Sequence, residues 1–154
     1  MLGLVLAALG GVIVFWYLLV PLFERFAPVE VVRAYQRFTM PFFRVLCGIA
    51  PGFGVVETVG RRSGKPRRVP VGGRLDGDAF WIVAGEGRRA HYVCNIKANP
   101  HVRVKFLGSW RSGTAYLCPD DDARRRAIEV SLMNGLFLRL ANRSMLTIRV
   151  ELDR

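Results

Sequence analysis

Carboxylates are scarce in this 154-residue chain: 12 Asp and Glu stand against 23 Lys and Arg, for a formal charge of +11. Anionic partners are therefore expected. Cysteine is rarer still. Cys47, Cys94 and Cys118 are far apart and odd in number, which fits neither a disulfide framework nor zinc-ligand spacing. They read as buried thiols of a reducing compartment. Imidazole comes only from His91 and His101, which lack the partners of a metal cluster and read as structural or secondary site residues. No nucleophile can be assembled with a base and an orienting acid, since Ser63 is surrounded by cations. An enzyme built from these residues takes its reactive group from a cofactor. There is no internal repeat or low-complexity segment.

Charge of either sign is absent from residues 1–23, "MLGLVLAALGGVIVFWYLLVPLF". At about 1.5 Å rise per residue such a run is long enough to cross a hydrocarbon layer roughly 30 Å thick. It lacks the basic start, short apolar stretch and small-residue cleavage site of a signal peptide. A single transmembrane anchor over 1–23 is expected. Trp16 and Tyr17 suit the headgroup level, and Arg25, Arg33, Arg37 and Arg44 follow, which places the remainder on the cytoplasmic side of the plasma membrane. Pro28 opens an amphipathic linker helix that Pro41 interrupts, giving a linker over 24–48.

From residue 49 to 154 the pattern changes to short β-rich runs. "GFGVVETVG" reads as a strand entering a turn. "RRVPVGGRLDGDAFWIVAG" reads as a hairpin around Asp76-Gly77, and "HVRVKFLGSWRSGTAYLCP" as another around Gly108 and Ser109. "RAHYVCNIKANP" between them is too polar for a buried strand and reads as a short helix or ordered loop. "PDDDARRRAIEVSLMNGLFLRL" starts with carboxylates suited to a helix N-terminus and continues at helical spacing, and "MLTIRVEL" supplies a last strand. The acids Asp120 to Asp122 cap that helix rather than bind metal. The fold class is α+β: a small barrel of about six mostly antiparallel strands with helices at its openings.

The basic charge concentrates in "TVGRRSGKPRRVP", residues 58–70. A nucleotide-binding P-loop is excluded. Only three residues separate Gly60 from Gly64, Pro66 stands where a magnesium-binding hydroxyl is needed, and a strand follows instead of a helix. Nucleic acid is disfavoured, because the cations are not interleaved with stacking aromatics. Two uses remain and fit the composition equally. Backbone N–H groups and guanidinium forks form a cradle for phosphate or carboxylate, or the loop is a basic face against an anionic leaflet.

In order and spacing, "ETVGRRSGKPRRVPV", "DGDAFWIVAGEG" and "YVCNIKANPHVRV" resemble the deazaflavin-dependent nitroreductase family, split β-barrel oxidoreductases that use coenzyme F420, an 8-hydroxy-5-deazaflavin. The similarity covers roughly residues 50–118. It implies that Arg61, Arg62 and Ser63, with Lys65 and Arg67, hold the phosphate and polyglutamate tail of the coenzyme. The strand Arg68, Val69, Pro70, Val71, Gly72 would pass beneath the ring. Val83, Ala84, Gly85 and Glu86 would line another side, and His91, Tyr92, Val93, Cys94 and Asn95 would close the phosphate end. The resemblance breaks at proton delivery. Members that reduce quinones and nitro compounds often carry a tyrosine at the place of Gly72, a serine at that of Gly85 and tyrosines in the last helix, none of which this chain has. No catalytic residue is assigned, and the acceptor is expected to be lipophilic, a quinone or an unsaturated lipid reached from the bilayer. FMN on a related barrel, and a non-enzymatic protein that carries F420 or docks on anionic lipid, are the alternatives.

Overall fold

The computed structural model describes residues 19–28, 30–32, 34, 35, 37–39, 52–140 and 144–153. Most of the expected anchor, residues 1–18, lies outside them, as does the linker beyond residue 39. Among the described residues no helix is long and apolar enough to cross a membrane. The chain enters them through α1, Val20–Phe26, which ends where Ala27 turns extended (φ −73°, ψ 149°) ahead of Pro28. A residue preceding proline is driven from helical geometry, which explains the stop. Helical backbone resumes after it, with the amides of Val31 and Val32 both donating to the Pro28 carbonyl.

Six strands follow: β1 Phe53–Val59, β2 Pro66–Asp76, β3 Ala79–Ala84, β4 His101–Phe106, β5 Ser109–Cys118 and β6 Leu146–Leu152. They close into a barrel in the order β1-β2-β3-β6-β5-β4, with antiparallel pairing all round. Alternation along each strand sends Val56, Val71, Ile82, Val104, Ile148 and Val150 into one core, and Phe80 packs its ring 5.3 Å from that of Phe106. Two strand glycines make room for Phe80. A Cβ on Gly54 would stand 2.9 Å from the ring tip, and one on Gly73 would meet the ring closer still.

Each hairpin turn sits one residue away from its sequence signal. Asp76 pairs with Ala79 and Phe106 with Ser109, so the turns are Gly77-Asp78 and Leu107-Gly108. Leu107 (φ 47°) and Gly108 (φ 86°) are both left-handed, the geometry that matches the twist of the strands in a two-residue hairpin.

The helices are α2 His91–Ala98, preceded by a 3₁₀ turn at Gly87–Arg89, then α3 Ala123–Val130 and α4 Leu132–Leu140. The sequence reads as one helix where the structure has α3 and α4. Ser131 is extended between them (φ −162°, ψ 114°), and Gly135 lies against the Ala127–Ile128 backbone, where a Cβ would fall within 2.8 Å. Folding the helix back on itself lets Ala127 and Leu138 pack together on Val83, on the outer face of β3. The expected cap is present: the Asp122 carboxylate accepts from the amides of Arg124 (3.0 Å) and Arg125 (3.1 Å). Asp121 instead takes two 3.1 Å bonds from the Arg126 guanidinium, which lies 4.3 Å over the Trp81 ring.

The topology sorts the connections. Both tight hairpins are at one rim of the barrel. The three longer connections, β1 to β2, β3 to β4 and β5 to β6, all leave from the other.

Candidate coenzyme site

That second rim gathers the basic loop and the "NIKANP" segment, 30 residues apart in sequence. Val59 pairs with Pro66 across the base of the loop, and the Gly60 amide donates to the Lys65 carbonyl (2.9 Å). Inside it the amides of Ser63 (3.1 Å) and Gly64 (2.8 Å) both donate to the Gly60 carbonyl. Gly64 takes the left-handed conformation (φ 65°) that only glycine adopts freely, and a Cβ on Gly60 would stand 2.8 Å from Ser63 Oγ. The glycine spacing thus folds the loop onto its own backbone and leaves Arg61, Arg62, Ser63, Lys65 and Arg67 exposed.

Arg61 binds the loop to α2. Its backbone N–H (3.2 Å) and its Nη1 (3.3 Å) both donate to Asn95 Oδ1, and Nη1 also approaches the His91 carbonyl at 3.5 Å. Asn95 in turn donates through Nδ2 to Thr58 Oγ1 (3.0 Å). Arg68 behaves differently. Its Nε donates to Glu57 at 2.6 Å, Arg103 holds the other oxygen at 3.2 Å, and both guanidiniums lie over Trp110. The hydrogen bond from Arg68, reinforced by the charges of Arg68 and Arg103, holds the Glu57 carboxyl below the usual carboxylate range against the opposing effect of burial. Among the described residues no carboxylate pairs with Arg61, Arg62, Lys65 or Arg67, whereas Arg68, Arg103, Arg126 and Arg149 each have one. The loop therefore presents uncompensated positive charge at the rim, which suits a polyanion.

The other expected site residues divide between faces. On β2, Val69 and Val71 point into the barrel core, while Arg68 shares the outer face with Glu57; Pro70 and Gly72 follow it there by strand alternation. A planar group lying outside this strand meets Pro70, Gly72 and backbone, not the valines. Val83 packs under α3 and α4, Ala84 is in the core, and Gly85 and Glu86 lead into the 3₁₀ turn at the rim. On α2, His91 is exposed, Val93 is in the core, and half-buried Cys94 has its Sγ 3.5 Å from the Arg88 carbonyl. Tyr92 packs against the core, and burial, with the Glu86 charge adding to it, pushes its phenol well above the ordinary tyrosine value. It keeps its proton at neutral pH. Sequence reasoning missed Thr58. Its place in the alternation, inward like Val56, was the available signal, because a buried hydroxyl must find a partner. Among the described residues no group of His, Cys, Asp and Glu is placed to hold a metal ion.

Fold and site together define a split-barrel protein with a cationic rim. The fold recurs in a solved F420-H2 dependent reductase (FDR-A), with a TM-score of 0.53 and 22% identity over 67% of this chain and 97% of that one. It recurs also in HutZ, the heme storage protein of Vibrio cholerae, with a TM-score of 0.52 and 14% identity over 74% and 87% of the two chains. No curated protein matches the sequence. The family of F420H(2)-dependent quinone reductases matches residues 29–153, and the chain belongs to that family. It is an F420H2-dependent oxidoreductase with coenzyme F420 as its cofactor.

Proposed function

We propose that this protein is a membrane-anchored reductase that passes a hydride from reduced F420 to a lipophilic acceptor, a quinone or an unsaturated lipid, on the cytoplasmic side of the plasma membrane. The observation that carries the reading is the set of four uncompensated cations at the rim, Arg61, Arg62, Lys65 and Arg67. They hold the phosphate and polyglutamate tail, with Ser63 and the first turn of α2 beside them. The outer face of β2 at Pro70 and Gly72 and the segment Gly85–Glu86 flank the ring. When bound, the coenzyme supplies the hydride. The protein's part is to fix the ring against the acceptor and to exclude water. The raised phenol of Tyr92 makes it a weak acid.

Apolar exposure supports the membrane location. Of the twelve large apolar side chains exposed among the described residues, nine lie within residues 19–38 and on α4: Leu19, Leu22, Phe23, Phe26, Val31, Phe38, Leu132, Leu136 and Leu140. The three on α4 are spaced four apart and form one line, and α1, which begins within the charge-free N-terminal run, lies against α4. Concentrated exposure of this kind marks an interaction surface.

The test is a spectral titration of the full-length protein with F420 alongside vesicle binding. Arg61→Ala with Arg62→Ala is expected to weaken coenzyme binding by at least about tenfold while vesicle binding changes little. Equal losses in both would make the loop a lipid-docking patch and overturn the reading. The acceptor is tested separately, by comparing turnover of menaquinone-like and water-soluble acceptors; ready reduction of only the soluble ones sinks the lipophilic assignment.

A further inference from the structure

Arg61 and Arg68 flank the same loop and are both arginine, yet the fold treats their charges in opposite ways. Arg68 is neutralised by Glu57 at 2.6 Å. Arg61 is held only by neutral acceptors, Asn95 Oδ1 at 3.3 Å and the His91 carbonyl at 3.5 Å. Its direction is constrained and its charge is left free. The group that constrains it is itself buried: Asn95 is 5% exposed and Thr58 1%. Besides Thr147 these are the only buried polar residues among those described.

The hydrogen-bond chemistry permits one arrangement. Both Arg61 groups facing Asn95, the backbone N–H and Nη1, are donors only, so the amide oxygen must point at them and the NH2 must point at Thr58. Thr58 Oγ1 then has to accept, which it does at 3.0 Å. An apolar residue at 58 would leave the Asn95 NH2 buried without an acceptor and release the amide to rotate. An acid at 95 would still accept both bonds, but it would neutralise Arg61.

We infer that Thr58 and Asn95 are positioning residues: the buried hydroxyl and amide fix the backbone and guanidinium of Arg61 so that an uncompensated charge faces the coenzyme phosphate before the coenzyme arrives. Preorganising a long, rotamer-rich side chain lowers the ordering cost otherwise incurred on binding. The inference rests on the reading of the loop as a phosphate and tail clamp, and the test keeps the two apart.

The protein is titrated with F420 and with the corresponding ribityl deazaflavin, which lacks phosphate and tail. Arg61→Ala is the control for the clamp. If it leaves the preference for the phosphorylated ligand intact, the clamp reading itself is wrong. Given a working clamp, Thr58→Val is expected to raise the Kd for F420 about tenfold and leave that for the ribityl deazaflavin unchanged. Thr58→Ser, which keeps the acceptor oxygen, restores nearly wild-type affinity. Asn95→Asp keeps the geometry but cancels the charge, so it loses phosphate preference as fully as Arg61→Ala does, and it carries the test alone should Thr58→Val not fold. A preference for F420 that survives in Thr58→Val and Asn95→Asp would overturn the inference, as would an equal loss of affinity for both ligands, which is the signature of a merely structural pair.

Discussion

Replacing Arg126 with alanine separates the clamp that holds α3 from the rest of the fold. In the native protein its guanidinium makes two 3.1 Å bonds to Asp121 and one to Glu129, and lies 4.3 Å over Trp81. The Arg126 and Asp121 side chains are 28% and 25% exposed, so solvent screens the pair only in part. Charge-assisted bonds contribute about 1.5–3 kcal/mol when sheltered, surface pairs about 0–1, and a cation over an aromatic ring about 0.5–1. A loss of about 2–3 kcal/mol follows, or roughly 5–10 °C in the melting midpoint for a chain of this size. The substitution also changes the acid limb of stability. The hydrogen bond from Arg126, aided by its charge, holds the Asp121 carboxyl below its ordinary value despite the opposing effect of burial. A carboxyl lowered in the folded state stabilises fully above its unfolded pKa, about 3.9, and that contribution disappears as the pH falls through the folded value. Native protein should therefore lose stability below about pH 4 more steeply than Arg126→Ala. Thermal melts from pH 2.5 to 7 measure both effects. Parallel pH profiles, or a change under about 0.5 kcal/mol at neutral pH, would refute the idea that Arg126 ties α3 to Asp121 and, through Trp81, to β3.

Two further substitutions test the barrel. Gly73→Ala places a methyl in the ring of Phe80 and is expected to cost about 1–3 kcal/mol by overpacking; an unchanged denaturation midpoint would mean that Phe80 is not wedged between the strand glycines. Leu107→Gly relieves a left-handed residue (φ 47°) at an exposed turn and should stabilise by about 0.5–1 kcal/mol. A lower melting temperature would show that the Leu107 side chain is held by contacts worth more than the strain.

Local chemistry made the barrel legible. Alternation marked β1 and β4, and the glycine-containing turns marked both hairpins, because strand period and turn geometry are properties of a few consecutive residues. The turns came out one residue off since the left-handed position, not the dipeptide, sets the register, and Leu107 is an unusual occupant of it. The break at Ser131 was hidden because its cause is tertiary: Gly135 has to lie on the Ala127 backbone before two helices fit where one was expected. At the site, the clustered arginines were plain in the sequence, but their inequality was not. Which of Arg61 and Arg68 keeps its charge depends on Glu57 lying across a strand pair from one, and on Asn95, far along the chain, reaching the other.

The most direct test of the central claim is the affinity of the full-length protein for F420 bearing progressively longer glutamate tails, measured at low and at high salt. Uncompensated cations at the rim predict tighter binding with each added glutamate, and erosion of that gain as salt approaches 1 M, where screening acts over about 3 Å. Affinity indifferent to both tail length and salt would contradict the account.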